Sequence, residues 1–394
     1  MPNLEWREQI KIINDCIENN RPLHEVLFAN NYTYDDLRYD VEAPFKNAGG
    51  RYKNIEEFYQ KSNGIPVVSF FSGCGGLDLG FEAAGFEHVA CVDNNGLFCN
   101  TLRHNHPNWI IIGPPEAKGD VSNREELYDD LKRYIKPNFE GIFIGGPPCQ
   151  PFSIAANQRF AKGGSNFKRV GFSHQTQGNL LFDFIWFIKK FKPKALFIEN
   201  VAGLATIDGG EQLKKALADL SEMDYVASGP CILDAADFEI PQFRKRLFIV
   251  GSLNRTFSFP IVKGKRIACH KALNIQEKGT TNHITRSHKA ESIKRYMILK
   301  CGERDPLGRV DRLDPNRPAK TVIAGGTQGG GRSHLHPSIP RTLSVRECAR
   351  LQTFPDSFQF YGSVARQFTQ VGNAVPPVLG YHLAKAVAQQ FFEC

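Results

Sequence analysis

IPVVSFFSGCGGLDLGFEAAG, residues 65–85, sets an apolar run against a glycine-rich turn and then a second apolar stretch of helical spacing. IPVVSFF (65–71) reads as a buried strand and GGLDLGFEAAG as the helix that follows it. Four more short apolar runs follow: HVACVD (88–93), GIFIGG (141–146), ALFIEN (195–200) and RLFIVGS (246–252). NLLFDFIWFIKKF and GEQLKKALADLSEM read as further helices between them. Strands alternating with helices predict an α/β fold, a doubly wound and mostly parallel sheet covered on both faces. Such sheets hold ligands beyond the carboxyl ends of their strands, so the strand ends are where chemistry is expected.

The alternation stops near residue 252. Regular structure returns with TLSVRECARLQTF, a helix expected to begin near Ser344, and with PPVLGYHLAKAVAQQFF, an amphipathic helix with a proline start. The last helix is expected to return and pack on the sheet. The division that follows is an accessory helical extension over 1–64, a catalytic domain over 65–253 plus 366–394, and a smaller domain over 254–365.

With 394 residues, 41% of them hydrophobic, the chain can bury one large core and a second small one. MPNLEWREQIKIIND mixes charge throughout, unlike a signal peptide. No apolar run reaches the roughly 18 residues needed to span a bilayer. The expected setting is cytoplasmic. The ten cysteines form no C-x-x-C pair, so most are expected to be reduced and buried, with no metal site.

The net charge of +8 is local in origin. Residues 252–316 hold fourteen Lys/Arg against six Asp/Glu, whereas residues 1–64 hold eight against eleven. Residues 151–177 carry Arg159, Lys162, Lys168 and Arg169 and no acidic group. Two basic stretches on an otherwise balanced chain point to a polyanion partner.

The glycine turn FFSGCGGLDLGF (70–81) lets a ligand approach backbone N–H groups at a helix start. Asp93 ends the next strand about twenty residues on, where a carboxylate accepts from ribose hydroxyls. Asp120, in KGDV, is expected to meet an adenine amino group. The pocket these describe suits either a nicotinamide cofactor or S-adenosylmethionine. GGPPCQPFS (145–153) then presents Cys149 on a rigid turn. Packing, redox, metal ligation and nucleophilic attack are all open to it. A thiolate nucleophile needs exposure and nearby positive charge, which 151–177 supplies. Glu199, in FIENV, ends an apolar strand and suits a general acid. Arg244 and Arg246, in QFRKR, lie two apart and are expected on one face of a strand.

The ordered series FSGCGG, GGPPCQPFS, FIENV, QFRKR, RPAKTV, RECARLQTFPD and QVGNAVPP resembles the motif set of the DNA cytosine-5 methyltransferases. It covers residues 65–394 apart from a variable stretch near 252–316. The resemblance implies a Rossmann-like, S-adenosylmethionine-dependent methyltransferase with a target-recognition domain over 254–365. It implies that Cys149 attacks carbon 6 of a flipped-out cytosine and that Glu199 protonates or hydrogen-bonds ring nitrogen 3. By the same resemblance Arg244 and Arg246 are expected to help hold the base carbonyl and the surroundings of the thiol. Phe71, Ser72, Gly73, Gly75 and Gly76 wrap the cofactor, Asp93 its ribose, and Asp120 with Val121 its adenine. Leu180, Asn373 and Ala374 close that pocket. Asn94 departs from the pattern, standing where relatives often carry a larger side chain. Gln150, Ser153, Arg159, Lys162 and Lys168 are expected on the DNA. The implied setting is a restriction–modification system, with duplex DNA as substrate, a cognate endonuclease acting on the same site, and a monomeric enzyme. A tRNA cytosine-5 methyltransferase, a non-catalytic DNA-binding protein and a nicotinamide-linked oxidoreductase are the competing readings.

Overall fold

Five of the seven strands in the central sheet fall on the apolar runs read from the sequence: β1 (Pro66–Phe70), β2 (Glu87–Val92), β4 (Ile142–Gly145), β5 (Ala195–Val201) and β7 (Lys245–Ser252). The computed structural model describes residues 4–46, 49–148, 180–262, 264–274, 280–307, 310–324 and 334–393. The two strands that pattern alone did not reveal are β3 (Ile111–Ile112) and β6 (Val226–Asp234). The first is two residues long. The second is an edge strand with little burial and a register shift between Ser228 and Cys231, so neither carries an apolar signature. The strand order is β3-β2-β1-β4-β5-β7-β6. β1 to β5 run parallel, while β7 is antiparallel to both β5 and β6.

Packing groups the chain into two units: Met1–Lys53, Glu239–Arg244 and Gly264–Asn373 form one, and Asn54–Phe238, Lys245–Lys263 and Ala374–Cys394 the other. The sheet belongs to the second. On one of its faces the helix Leu180–Phe191 lays Phe184 and Phe187 on Phe70, with ring centroids 4.9 and 5.3 Å apart. On the other, Phe81 of the helix Gly76–Ala83 meets Phe197 at 5.4 Å. The C-terminal helix Pro377–Val387 packs against Gly76–Ala83, as expected of a chain end returning to the sheet. Glycines set that closeness: a Cβ on Gly80 would lie 2.6 Å from backbone atoms of Pro377, Gly380 and Tyr381.

The first unit draws on distant parts of the sequence. Ile13 and Cys16 of the helix Trp6–Glu18 and Leu27 of Leu23–Ala29 share a core with Ile293 and Met297 of Ala290–Met297. The helix Val345–Leu351 starts where the sequence placed it, with Ser344 as N-cap and Glu347 closing a capping box. Glu347 also accepts both terminal nitrogens of the buried Arg341, each at 2.8 Å. Residues up to Asn373, the end of the helix Val364–Asn373, pack in this unit. No helix among the described residues is long and apolar enough to cross a membrane.

Gly80→Ala is expected to cost about 3 kcal/mol or more, because rigid backbone rather than a movable side chain would have to yield. A lower urea midpoint at unchanged slope would register it. A variant as stable as the wild type would rule out this helix contact.

Candidate active site

The glycine turn leaves β1 through left-handed backbone. Phe71 has φ +55°, Gly73 +58° and Gly75 +87°. A phenylalanine in that region is strained; this one is partly buried, and its ring meets Phe184 edge-on at 6.4 Å. Ser72 is buried, donates its N–H to Val92 O at 3.1 Å, and its Oγ lies 2.9 Å from that of Ser69. Gly75 N donates to Ser72 O, and Gly76 opens the helix. A Cβ on Gly75 would come within 2.8 Å of Leu102, so the turn admits no side chain there.

Asp93 stands just past β2 and ties this turn together. Gly73 N donates to one of its carboxylate oxygens and Asn95 N to the other, both at 2.8 Å. Burial pushes its carboxyl up to about 6; those two N–H donors oppose the shift and the Asp78 carboxylate adds to it. Asp120 is drawn alongside by two glycines the motif reading did not single out. Cβ atoms on Gly113 and Gly119 would lie 2.2 and 2.3 Å from Asp93 O, so this loop packs backbone to backbone. Asp120 Oδ1 accepts from Ser122 N and Oγ, and Val121 is buried. Leu180, partly buried, opens the helix Leu180–Phe191. Arg124 fixes that helix by donating to Asp183 at 2.7 Å.

Behind the turn, Asp78 and His88 form a buried pair, Oδ1 to Nε2 at 3.2 Å, with Cys91 Sγ 3.7 Å from the same oxygen. The ligating atoms of these three lie within 4.8 Å of one another. They come from a helix and a strand, so no ligand spacing in the sequence announces them. The eight described cysteines are all free thiols. Burial raises the thiol of Cys74, in the turn itself, far from ionising, which removes it as a nucleophile.

The second half of the site lies where β4, β5 and β7 end or begin. Because β7 is antiparallel, its start reaches the rim at which the parallel strands finish. Glu199 pairs with Phe248 across the ladder and Val201 with Arg246, so Glu199 and Arg246 are diagonal neighbours on one face. Arg246 Nε donates to Glu199 Oε1 at 2.9 Å, with the two side chains 15% and 12% exposed. Burial lowers the pKa of Arg246, and Glu199 opposes that shift. Gly146 leaves room for this carboxylate: a Cβ there would lie 3.1 Å from Glu199 Oε2. Asn200 Nδ2 donates to Pro147 O at 3.2 Å, which binds the end of β5 to the proline turn. Asn200 is a positioning residue the motif reading passed over, although it sits inside FIENV.

Arg244 is not on the strand with Arg246. β7 begins at Lys245, and Arg244 belongs to the other packing unit. It is fully buried and donates to Val322 O, Gly372 O and Asn373 O at 3.1, 2.9 and 3.3 Å. The expectation of two cations on one strand face is corrected accordingly: residues 239–244 are bonded into the unit where Phe243 N donates to Ala319 O. Asn373 is exposed at the end of its helix, and Ala374 begins the last segment of the sheet-bearing unit. Cys149, Gln150, Ser153, Arg159, Lys162 and Lys168 lie outside the described residues.

Comparison with known proteins agrees with this arrangement. The family described as C-5 cytosine-specific DNA methylase matches residues 65–389. Type II methyltransferase M.NgoFVII of Neisseria gonorrhoeae is 32% identical over 375 residues, covering 86% of this chain and 90% of its own. M.PspPI of a Psychrobacter species is 31% identical over 361 residues, covering 83% and 80%. Among solved structures, a prophage-encoded protein of E. coli described as a DNA modification methyltransferase superposes with a TM-score of 0.68 at 25% identity, over 83% of this chain and 99% of that one. A Spodoptera frugiperda DNMT2 variant, at 16% identity and a TM-score of 0.58, shares the fold. The chain belongs to the C-5 cytosine-specific DNA methylases, enzymes that transfer a methyl group from S-adenosylmethionine to DNA cytosine.

Proposed function

We propose that this chain methylates carbon 5 of cytosine within one short duplex sequence, as the modification half of a restriction–modification system, acting as a monomer in the cytoplasm beside an endonuclease that cuts the same site. The observation that carries the catalytic reading is the Glu199–Arg246 pair, set one strand over from the Gly146-Pro147-Pro148 turn that leads into Cys149. The Type II relatives support the biological setting. They are methyltransferases, which favours catalysis over mere binding, and the match to the cytosine-specific DNA methylase family favours DNA over tRNA.

The Cys149 thiolate attacks carbon 6 of an extruded cytosine, and the ring electrons then make carbon 5 the nucleophile. Glu199 meets ring nitrogen 3 and relieves the charge that builds on the ring. Arg246 fixes the carboxylate's orientation through Nε. A carboxylate and guanidinium held this deep are mutually dependent. Removing either leaves an uncompensated charge, at a cost of about 3–5 kcal/mol. After methyl transfer, carbon 5 loses its proton, carbon 6 releases the thiol, and the free enzyme is restored. Arg244 acts through position instead, holding carbonyls at the end of the helix that Asn373 closes. The loop over 151–177, with Arg159, Lys162 and Lys168, engages the phosphates, and Gln150 and Ser153 the base's surroundings.

The residues at the turn fit S-adenosylmethionine. The turn takes left-handed backbone at Gly73 and Gly75, and Asp93 carries a carboxyl that meets N–H donors and no cation among the described residues, so its ionised form invites hydroxyl donors. S-adenosylmethionine supplies an electrophilic methyl group on sulfonium. Phe71 to Gly76 would hold its methionine end, Asp93 the ribose hydroxyls, Asp120 and Val121 the adenine, and Leu180 with Asn373 and Ala374 the pocket's margin.

Bisulfite sequencing of DNA from a methylation-free bacterial host tests the whole reading. Cytosines protected in one short context, and unprotected with Cys149→Ala, are expected. Soluble wild-type protein that protects nothing would overturn it. Glu199→Gln is expected to lower kcat by about 10²–10⁴-fold, the range of a general acid, with cofactor affinity retained.

Asp93 gives the cofactor a pH signature. Its carboxyl titrates near 6, above its unfolded value, so the folded apo enzyme takes up a proton as pH falls through 6. The protonated form offers a weaker acceptor to the ribose. Calorimetric affinity for S-adenosylmethionine is expected to fall from pH 7.5 to about 5.5, and Asp93→Asn to weaken binding roughly tenfold or more while flattening that dependence. An unchanged affinity in Asp93→Asn would remove Asp93 from the pocket.

A further inference from the structure

The unit that contains residues 264–373 buries Arg244, Arg312, Arg341 and Arg346, each of which hydrogen-bonds within the fold. Arg312 donates to Pro337 O, Val41 O and Leu299 O. Arg341 binds Glu347 and Asp35, and Arg346 donates to Thr281 O and Pro355 O. Arg286 differs. Its Nε and Nη2 are both enclosed and have no hydrogen-bond partner among the described residues, and the guanidinium rests over the Phe368 ring at 5.2 Å. Those two nitrogens form one edge of the guanidinium, the fork that matches a paired set of acceptors. The side chain as a whole is partly exposed. Turning it outward loses a cation–π contact, which is weaker than the two charged hydrogen bonds it would gain.

The loop carrying Arg286 is pinned on both sides. Ahead of it, His283 Nδ1 lies 2.9 Å from Ser344 Oγ and its Nε2 3.2 Å from Asp35 Oδ2. Behind it, His288 N donates to Tyr34 Oη at 2.9 Å, and Tyr34 Oη donates to His288 O at 3.2 Å. Asp35 also accepts from the buried Arg341, and the Tyr34–Asp36 turn is closed by a Thr33–Asp36 capping box. Half of the clamp therefore comes from the N-terminal segment, which the family match does not cover.

We propose that Arg286 contacts the DNA through its Nε/Nη2 edge, and that Tyr34 and Asp35 of the N-terminal segment are positioning residues that hold its loop for that contact. This rests on the DNA-methylating function proposed above. The matching chemistry is a pair of acceptors, found on a backbone phosphate or on guanine O6 and N7.

The test uses full-length wild type, Arg286→Ala, Arg286→Lys, Asp35→Asn, Tyr34→Phe and the Arg286→Ala/Asp35→Asn double variant on cognate duplex DNA. Arg286→Ala is expected to raise KM for DNA about tenfold or more, with affinity for S-adenosylmethionine unchanged. Retained cofactor affinity and cooperative melting show that the variants fold, and Arg286→Gln stands in for Arg286→Ala if that one does not. A phosphate partner predicts a salt slope lower by about one, equal losses across sequences, and partial rescue by Lys. A guanine partner predicts relaxed methylation at one base-pair position and no rescue. Asp35→Asn and Tyr34→Phe are each expected to raise KM for DNA severalfold while sparing kcat, and Asp35→Asn to add little to Arg286→Ala. Wild-type DNA affinity, salt slope and selectivity in Arg286→Ala overturn the contact. Strict additivity in the double variant overturns the clamp. A wild type that methylates no DNA would instead overturn the proposed function.

Discussion

One reversed strand governs the arrangement of the catalytic groups. In a wholly parallel sheet every strand delivers its last residues to the ligand rim, and the next residues run into a helix. β7 runs the other way, so its first residues arrive there. That places Arg246 diagonally across from Glu199 at the one distance a buried carboxylate needs, and lets the chain before β7 go elsewhere. The motif QFRKR is split by this reversal. Arg246 serves the sheet, while Gln242 and Arg244 are bonded among residues 319–373.

The two carboxylates of the site show how environment assigns a role. Glu199 has a guanidinium at 2.9 Å and little exposure, so it is fixed in direction. Asp93 has N–H donors and, among the described residues, no cation, and its neighbour Asp78 is already held against His88. An ionised Asp93 therefore costs the empty protein stability at neutral pH, a cost that hydroxyl donors from a ligand relieve. The left-handed Phe71 stores strain in the same turn. The strained Phe71 and the raised carboxyl of Asp93 thus meet in one turn, above the Phe70–Phe184–Phe187 packing.

Much of this was legible in the sequence because it is local. Apolar runs gave β1, β2, β4, β5 and β7, the capping pattern gave Ser344, and the glycine turn, Asp93 and Glu199 sit in short motifs. What escaped has no local signature. β3 is too short to alternate, and β6 is an exposed edge. Gly113 and Gly119 matter because Asp93 O, some twenty residues away, leaves no space for a Cβ. Arg244 looked like a partner of Arg246 because period-two spacing was applied one residue before the strand begins.

The N-terminal segment escaped for the same reason on a larger scale. Its acidic balance and separate helices suggested an appendage, since nothing within residues 1–64 reports that Ile13 and Leu27 share a core with Ile293 and Leu335. Part of its acid has a partner far along the chain: Asp35 answers Arg341 and His283. Other pairs close within one stretch, as Arg295 does with Asp305 and Arg21 with Asp15. Counting charge along the chain overstates the cationic surface. Arg312, Arg341 and Arg346 are bonded within the fold, whereas the loop of Arg286 is held by the segment whose Asp35 answers His283 and Arg341.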